Sequence, residues 1–359
     1  MRKNFIDNIR WITVLFLFPY HTARIFDSFT PFYVKGTASQ TADTFILSCT
    51  PWFMPILFVL AGISTRYALQ KRSNRQYIRE RFEKLLVPLF FGILLLIPVQ
   101  TYYAERFFNG YTGNYAKQYL LFFTKIEDLT GYSGGFTPGQ LWFICYLFLI
   151  SMVALPILNV IRKRELRWKG PGLALIPLCI ITFLLSFVLD ISGKSLGEYF
   201  SLFLLGYFVL AEEEVQEYLD HKRVILAIAG VALTVFAVAS QMLLRGDVIG
   251  KGILIFTSWM DILAILGMGR HYLNFQNKWA RYLSGSSFAC YLFHQSWIVL
   301  IGFYILQCDL PVGAAYILIL AGSFLGSICT YEICKRIPVL RFMFAIKASG
   351  SHAPSERKC

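Results

Sequence analysis

The chain has 359 residues, of which 56% are hydrophobic and 15% charged, with a mean hydropathy of +0.55 and a net charge of +13. An apolar share this large exceeds the roughly half expected of a soluble domain and leaves the bilayer as the place where it is buried. The positive charge matches attraction to anionic headgroups, so no nucleic-acid partner is expected.

Apolar runs of about 17 to 25 residues, the length that crosses a bilayer as a helix, occur at 9–26, 45–69, 85–103, 140–161, 172–190, 195–211, 223–244, 252–269, 286–306 and 312–334. They predict an all-α, polytopic membrane protein of about ten transmembrane helices. Lys and Arg concentrate in alternate connections, at 1–8, 70–84, 162–171, 212–223, 270–284 and 335–359. By the positive-inside rule these are cytoplasmic, which puts the N- and C-termini in the cytoplasm; the acidic stretch Glu212–Asp220 counts for little under that rule. The runs leave no room for a separate soluble domain. Residues 1–340 read as one integral membrane domain, and the polar, basic segment 341–359 as a disordered cytoplasmic tail. Two basic residues precede the first run, but no small-residue cleavage site follows it, so a retained span is expected rather than a signal peptide. The eight cysteines stand singly, with neither a CxxC pair nor a His-linked spacing, so packing roles and no metal are expected.

The first run carries Arg10 and His21. An ionisable residue at bilayer depth costs at least roughly 2.5–3.5 kcal/mol unless a cavity or a partner receives it. Their separation of eleven residues is close to three helical turns, so they share a face about 16 Å apart along the axis. Arg10 falls near the inner face, one turn from Asp7, and His21 in the outer half. Snorkelling to headgroups is the blander role for Arg10, and an interhelical hydrogen bond is that for His21. Asp261, Asp190 and Glu198 are three carboxylates that stand as candidate partners for the histidine. Tyr291, His294 and Gln295 fall at i, i+3 and i+4 and share a helix face. The segment 104–139 is rich in Tyr, Phe and Gly, which suits either an interfacial belt or stacking on sugar rings.

Five short motifs follow in order: Arg10 and His21 with ten residues between them, FVLAGIS from Phe58 to Ser64, YIRERFEKLLVP with Arg79, Arg81 and Pro88, LWF from Leu141 to Phe143, and YLFHQ with Tyr291, His294 and Gln295. Together they resemble the membrane-bound acyltransferases of acyltransferase family 3, which include glycan and peptidoglycan O-acetylases and glucan succinyltransferases. The resemblance covers most of the chain. Ala61 stands where many members have Ser before Gly62, a form closer to the succinyltransferase-like branch.

The resemblance implies a multi-pass enzyme of a bacterial cytoplasmic membrane that moves an acetyl or succinyl group from cytoplasmic acyl-CoA to a hydroxyl of an extracytoplasmic glycan or glycolipid. Acyl-CoA, most simply acetyl-CoA, is then a donor substrate, with no permanently bound cofactor. Arg10, Arg79 and Arg81 would meet its phosphates, for which the planar guanidinium fork is suited. His21 would be the general base or a transient acyl carrier. Trp142, Tyr291, His294, Gln295 and Asp261 are expected to support it or to face the acceptor. The alternative from another class is a secondary transporter of a small anionic or sugar-like solute, which would use intramembrane Arg and His as substrate or proton sites.

Overall fold

The computed structural model describes residues 3–126, 131–132, 134–164, 168–170, 172–191, 193–241 and 248–347. Among these the chain is helical apart from loops and one two-residue hairpin, Asp190–Ile191 with Lys194–Ser195. Among the described residues, seven helices are long and apolar enough to cross a membrane: Gln40–Leu69, Asn74–Asn109, Gly139–Lys163, Glu213–Ser240, Val248–Tyr272, Lys278–Ile305 and Val312–Arg336. The chain is thus a multi-pass helical membrane protein. Two further apolar helices, Gly172–Leu185 and Leu196–Leu210, are shorter.

Departures from the expected runs have local causes. The run 9–26 is two helices, Asn4–Leu15 and Leu17–Phe26. Pro19 lacks an N–H and its ring crowds the carbonyl four residues back, at Leu15, where the helix breaks. Pro98 sits just after the interruption between Val87–Leu95 and Ile97–Asn109, and Pro177 lies in the 3₁₀ turns Gly172–Leu178 that shorten the next apolar helix. The acidic stretch expected as a loop forms the first turns of the helix Glu213–Gln241. Carboxylates favour a helix N-terminus, and these have cationic partners: Arg270 reaches Glu213 at 2.8 Å and Glu217 at 3.5 Å, and Arg66 reaches Glu212 at 2.7 Å. The tail boundary at 340 falls within a short helix, Pro338–Met343, and residues 348–359 of the tail lie outside the described residues.

The chain forms two compact units, Met1–Thr13, Ser39–Arg81 and Cys145–Ala280 in the first, Val14–Ala38, Phe82–Ile144 and Arg281–Cys359 in the second. In the first, Glu213–Gln241 pairs with Val248–Tyr272, and Ile228, Val231 and Val235 point outward with more than half their surface exposed. An outward apolar stripe of this kind suits a lipid-facing surface.

The helix Phe53–Leu69 packs closely on Leu196–Leu205. A methyl group on Gly62 would come within 2.0 Å of the Phe203 carbonyl oxygen, and one on Gly206 within 2.4 Å of the Val59 carbonyl oxygen. Backbone meets backbone here, which explains a glycine in the FVLAGIS motif by packing. Gly62→Ala is expected to destabilise the protein by about 1–3 kcal/mol, because backbone cannot step aside as a side chain can. Loss of monodisperse protein on heating in detergent measures it, and a wild-type melting curve would show that the helices separate at no cost.

Beyond this contact the second helix widens into a π-helical turn, Gly206–Leu210. Arg66 donates to the carbonyls of Tyr207 at 3.2 Å and Phe208 at 3.4 Å, serving carbonyls around the widened turn.

Candidate active site

In the first unit the structure ties three of the motifs together. Arg10 pairs with Asp7 at 3.1 Å and donates to Ser64 Oγ, the last residue of FVLAGIS. The next residue, Thr65, accepts from Arg81 at 3.0 Å and shares a 3.2 Å hydrogen bond with Tyr77, over whose ring the Arg81 guanidinium lies at 4.7 Å. Adjacent hydroxyls on one helix therefore hold Arg10 and Arg81. Arg79 is exposed on the same short helix, Asn74–Arg81. Guanidiniums anchored in this way are groups suited to an anion such as a phosphate.

In the second unit His21 lies beside another imidazole. The ring centroids of His21 and His294 are 5.1 Å apart at an interplanar angle of 42°. His294 is fully buried, and its Nδ1 is 2.7 Å from the Tyr291 carbonyl oxygen. A carbonyl only accepts, so Nδ1 donates and neutral His294 carries its lone pair on Nε2. Nε2 of His294 and Nδ1 of His21 are both buried and have no hydrogen-bond partner among the described residues. His21 itself is partly accessible, stacked at 6.0 Å on Phe32, while Phe18 meets the edge of His294 at 5.8 Å. Buried polar nitrogens are ordinarily hydrogen-bonded, so these two mark a candidate binding point for a hydroxyl.

A buried amide network holds this pair. Gln100 donates to Gln140 at 3.0 Å and to Ser296 at 2.8 Å, and accepts from Gln295 at 3.0 Å. Gln140 donates to the Leu292 carbonyl at 2.9 Å, and its own carbonyl accepts from Tyr291 at 2.6 Å. Tyr291 and Gln295 are thus fixed one on each side of His294. Gln140 is delivered by Gly139, whose φ of +51° suits glycine, and Gly139 N–H bonds back to Thr137 Oγ1. Burial raises the pKa of the neighbouring Tyr33, so its phenol stays protonated at any working pH.

Of the residues expected from sequence, Arg10, Arg81 and Arg79 fall in the first unit, and His21, Tyr291, His294 and Gln295 come together in the second. Trp142 opens the helix Trp142–Lys163 with its ring 6.4 Å from Phe143, which is edge-on to Tyr291 at 5.7 Å. Asp261 belongs to the first unit, where it accepts from Thr234 at 2.9 Å between paired helices; Asp190 and Glu198 lie in that unit too. Sequence reasoning missed Gln100, Gln140 and Ser296, although a glutamine near an apolar run is the signal that would have found the first two. It also missed Asp27, whose buried carboxylate binds Arg24 at 2.5 Å and Lys35 at 2.7 Å, closing the loop that brings Phe32 to His21.

The sequence matches the acyltransferase family 3 profile, described as "Acyltransferase domain", over residues 3–332. It is also similar to proteins named "Glucans biosynthesis protein C" from Salmonella paratyphi B, Salmonella dublin and Salmonella enteritidis PT4, each 24% identical over 382 aligned positions covering 96% of this chain and 95% of the relative. No solved structure matches. Enzyme rather than transporter is therefore the class to which these motifs point, and the chain belongs to acyltransferase family 3, as a multi-pass membrane O-acyltransferase.

Proposed function

We propose that this enzyme moves an acetyl or succinyl group from cytoplasmic acyl-CoA to a hydroxyl of a glucan or related glycan outside the cytoplasmic membrane. The observation that carries the reading is the histidine pair: His294 has its tautomer set by a backbone carbonyl, and His21 beside it has an enclosed nitrogen without a hydrogen-bond partner among the described residues. Alignment over 95% of relatives named for glucan biosynthesis supports the glycan acceptor.

The step balances with these residues. As the acceptor oxygen bonds to the thioester carbonyl carbon, His21 takes the hydroxyl proton; the C–S bond breaks, and the CoA thiolate leaves and collects that proton. Imidazole is the side chain suited to hold a proton transiently near neutral pH. His294, with its Nδ1 held at the Tyr291 carbonyl, leaves Nε2 as a second basic nitrogen beside His21. Arg10 and Arg81 bind the donor's phosphates, with Arg79 as the exposed third cation.

The test supplies membranes with acyl-CoA labelled in the acyl group and follows label into the glycan and lipid fractions. Transfer by wild type that His21→Ala abolishes at equal expression supports the mechanism. Transfer by both proteins removes His21 from the chemistry, and transfer from succinyl-CoA alone selects that donor. Arg10→Ala is expected to raise KM for acyl-CoA with little change in kcat, since it contacts the part of the donor that does not react. An unchanged KM removes Arg10 from the donor site.

A further inference from the structure

For the glycan acceptor proposed above, on which this inference rests, a ring cluster lies toward the ends of Ile97–Asn109 and Lys278–Ile305, the second of which carries His294. Gln100 of Ile97–Asn109 and Ser296 of Lys278–Ile305 meet in the buried network. One turn beyond Gln100, Tyr103 packs on Phe303 at 5.0 Å and on Tyr304 at 5.9 Å, and the two phenol oxygens are 3.4 Å apart. Ten residues separate His294 from Tyr304, about 15 Å along the helix. Arg106 follows one turn after Tyr103, its guanidinium 5.2 Å from the Phe303 ring and 5.6 Å from Tyr102, which meets Tyr115 edge-on at 5.5 Å. This cluster opens outward, since Tyr304 is 51% exposed and Tyr115 39% exposed.

We propose that this tyrosine and arginine cluster is the platform on which sugar rings of the acceptor chain stack, one end of the glycan lying there while a hydroxyl reaches the histidine pair. A sugar ring offers apolar C–H faces and a rim of hydroxyls. The cluster offers the complement: ring faces with phenolic groups at their edges, and a guanidinium lying over two rings and donating to the Tyr102 hydroxyl at 3.4 Å. A plain interfacial belt anchors rings singly in headgroups, whereas here the rings touch one another across three helices and share a cation. The two helices that carry the platform also carry Gln100, Ser296 and His294, so a bound chain is placed by the same elements that place the base.

The test measures binding of end-labelled glucan oligosaccharides, short and long, to the full chain purified in detergent. Wild type should bind long chains more tightly than short ones. Tyr103→Ala with Tyr304→Ala should weaken long-chain binding on the order of tenfold, the scale of losing one aromatic anchor, while the corresponding Phe pair keeps most of it. Arg106→Gln provides the same reading if the Ala pair does not fold. Such a pattern in a protein that transfers no acyl group would support the platform and count against the transfer reading. Equal binding by wild type, the Ala pair and Arg106→Gln, or no dependence on chain length, overturns the platform and leaves a headgroup belt.

Discussion

His21→Ala is expected to insert and fold normally and to lose about 10²- to 10⁴-fold in transfer rate, the range that a positioned general base contributes. His294→Ala should lose activity on the same scale, because removing it takes away the second basic nitrogen beside His21. The two changes should combine to far less than the product of their separate effects, since residues acting as one unit are not additive. His294→Asn sharpens the assignment. Its amide can donate to the Tyr291 carbonyl, which lies 2.7 Å from Nδ1 in the native helix, without supplying a basic nitrogen at Nε2. Rates of label transfer at saturating donor measure all four proteins. Strong recovery in His294→Asn would reduce His294 to a helix contact, and a multiplicative double variant would separate the histidines into independent roles.

The extent to which the site can be read in the sequence follows from the range of the interactions that build it. Arg10 and His21 stand out because charge in an apolar run is costly wherever the chain goes, and Tyr291, His294 and Gln295 because helical spacing alone aligns them. That Arg10 meets Ser64, or that Arg81 meets the residue after it, is not visible, since each bond depends on how distant segments pack. The same holds for Gln100, whose partners lie 40 and 195 or more residues away. Span positions come from hydropathy, but their continuity does not. Pro19 and Pro177 interrupt hydrogen bonding inside runs that remain apolar throughout, so length is legible and helix breaks are less so. The start of Glu213–Gln241 is hidden for the opposite reason: its first turns are too charged to read as a span, and the basic groups that offset them come from other segments.

Asp27→Ala should be among the most destabilising single changes in the second unit, by about 3–5 kcal/mol, the cost of removing one partner from a buried ion pair. Its carboxylate is completely buried and binds two cations that are themselves mostly buried, Arg24 with 14% and Lys35 with 19% of the side chain exposed. Lys35 also donates to the main-chain oxygens of Asp27 and Arg24, and the Phe29 N–H bonds to Asp27 Oδ1, so the carboxylate is the knot of the loop. Without it two like charges face each other in a site that water reaches poorly. The loop carries Phe32, which stacks on His21 at 17° between ring planes, so loosening it should lower kcat as well as the melting temperature. Lys35→Met in the same protein should return part of the stability, since it removes one of the stranded cations, and the size of that return measures the coupling. A double variant no more stable than Asp27→Ala would assign the loss to the hydrogen bonds of the turn instead of to charge. In that case the loop is held by its backbone, and Phe32 should stay on His21 even when Arg24 and Lys35 are both neutralised.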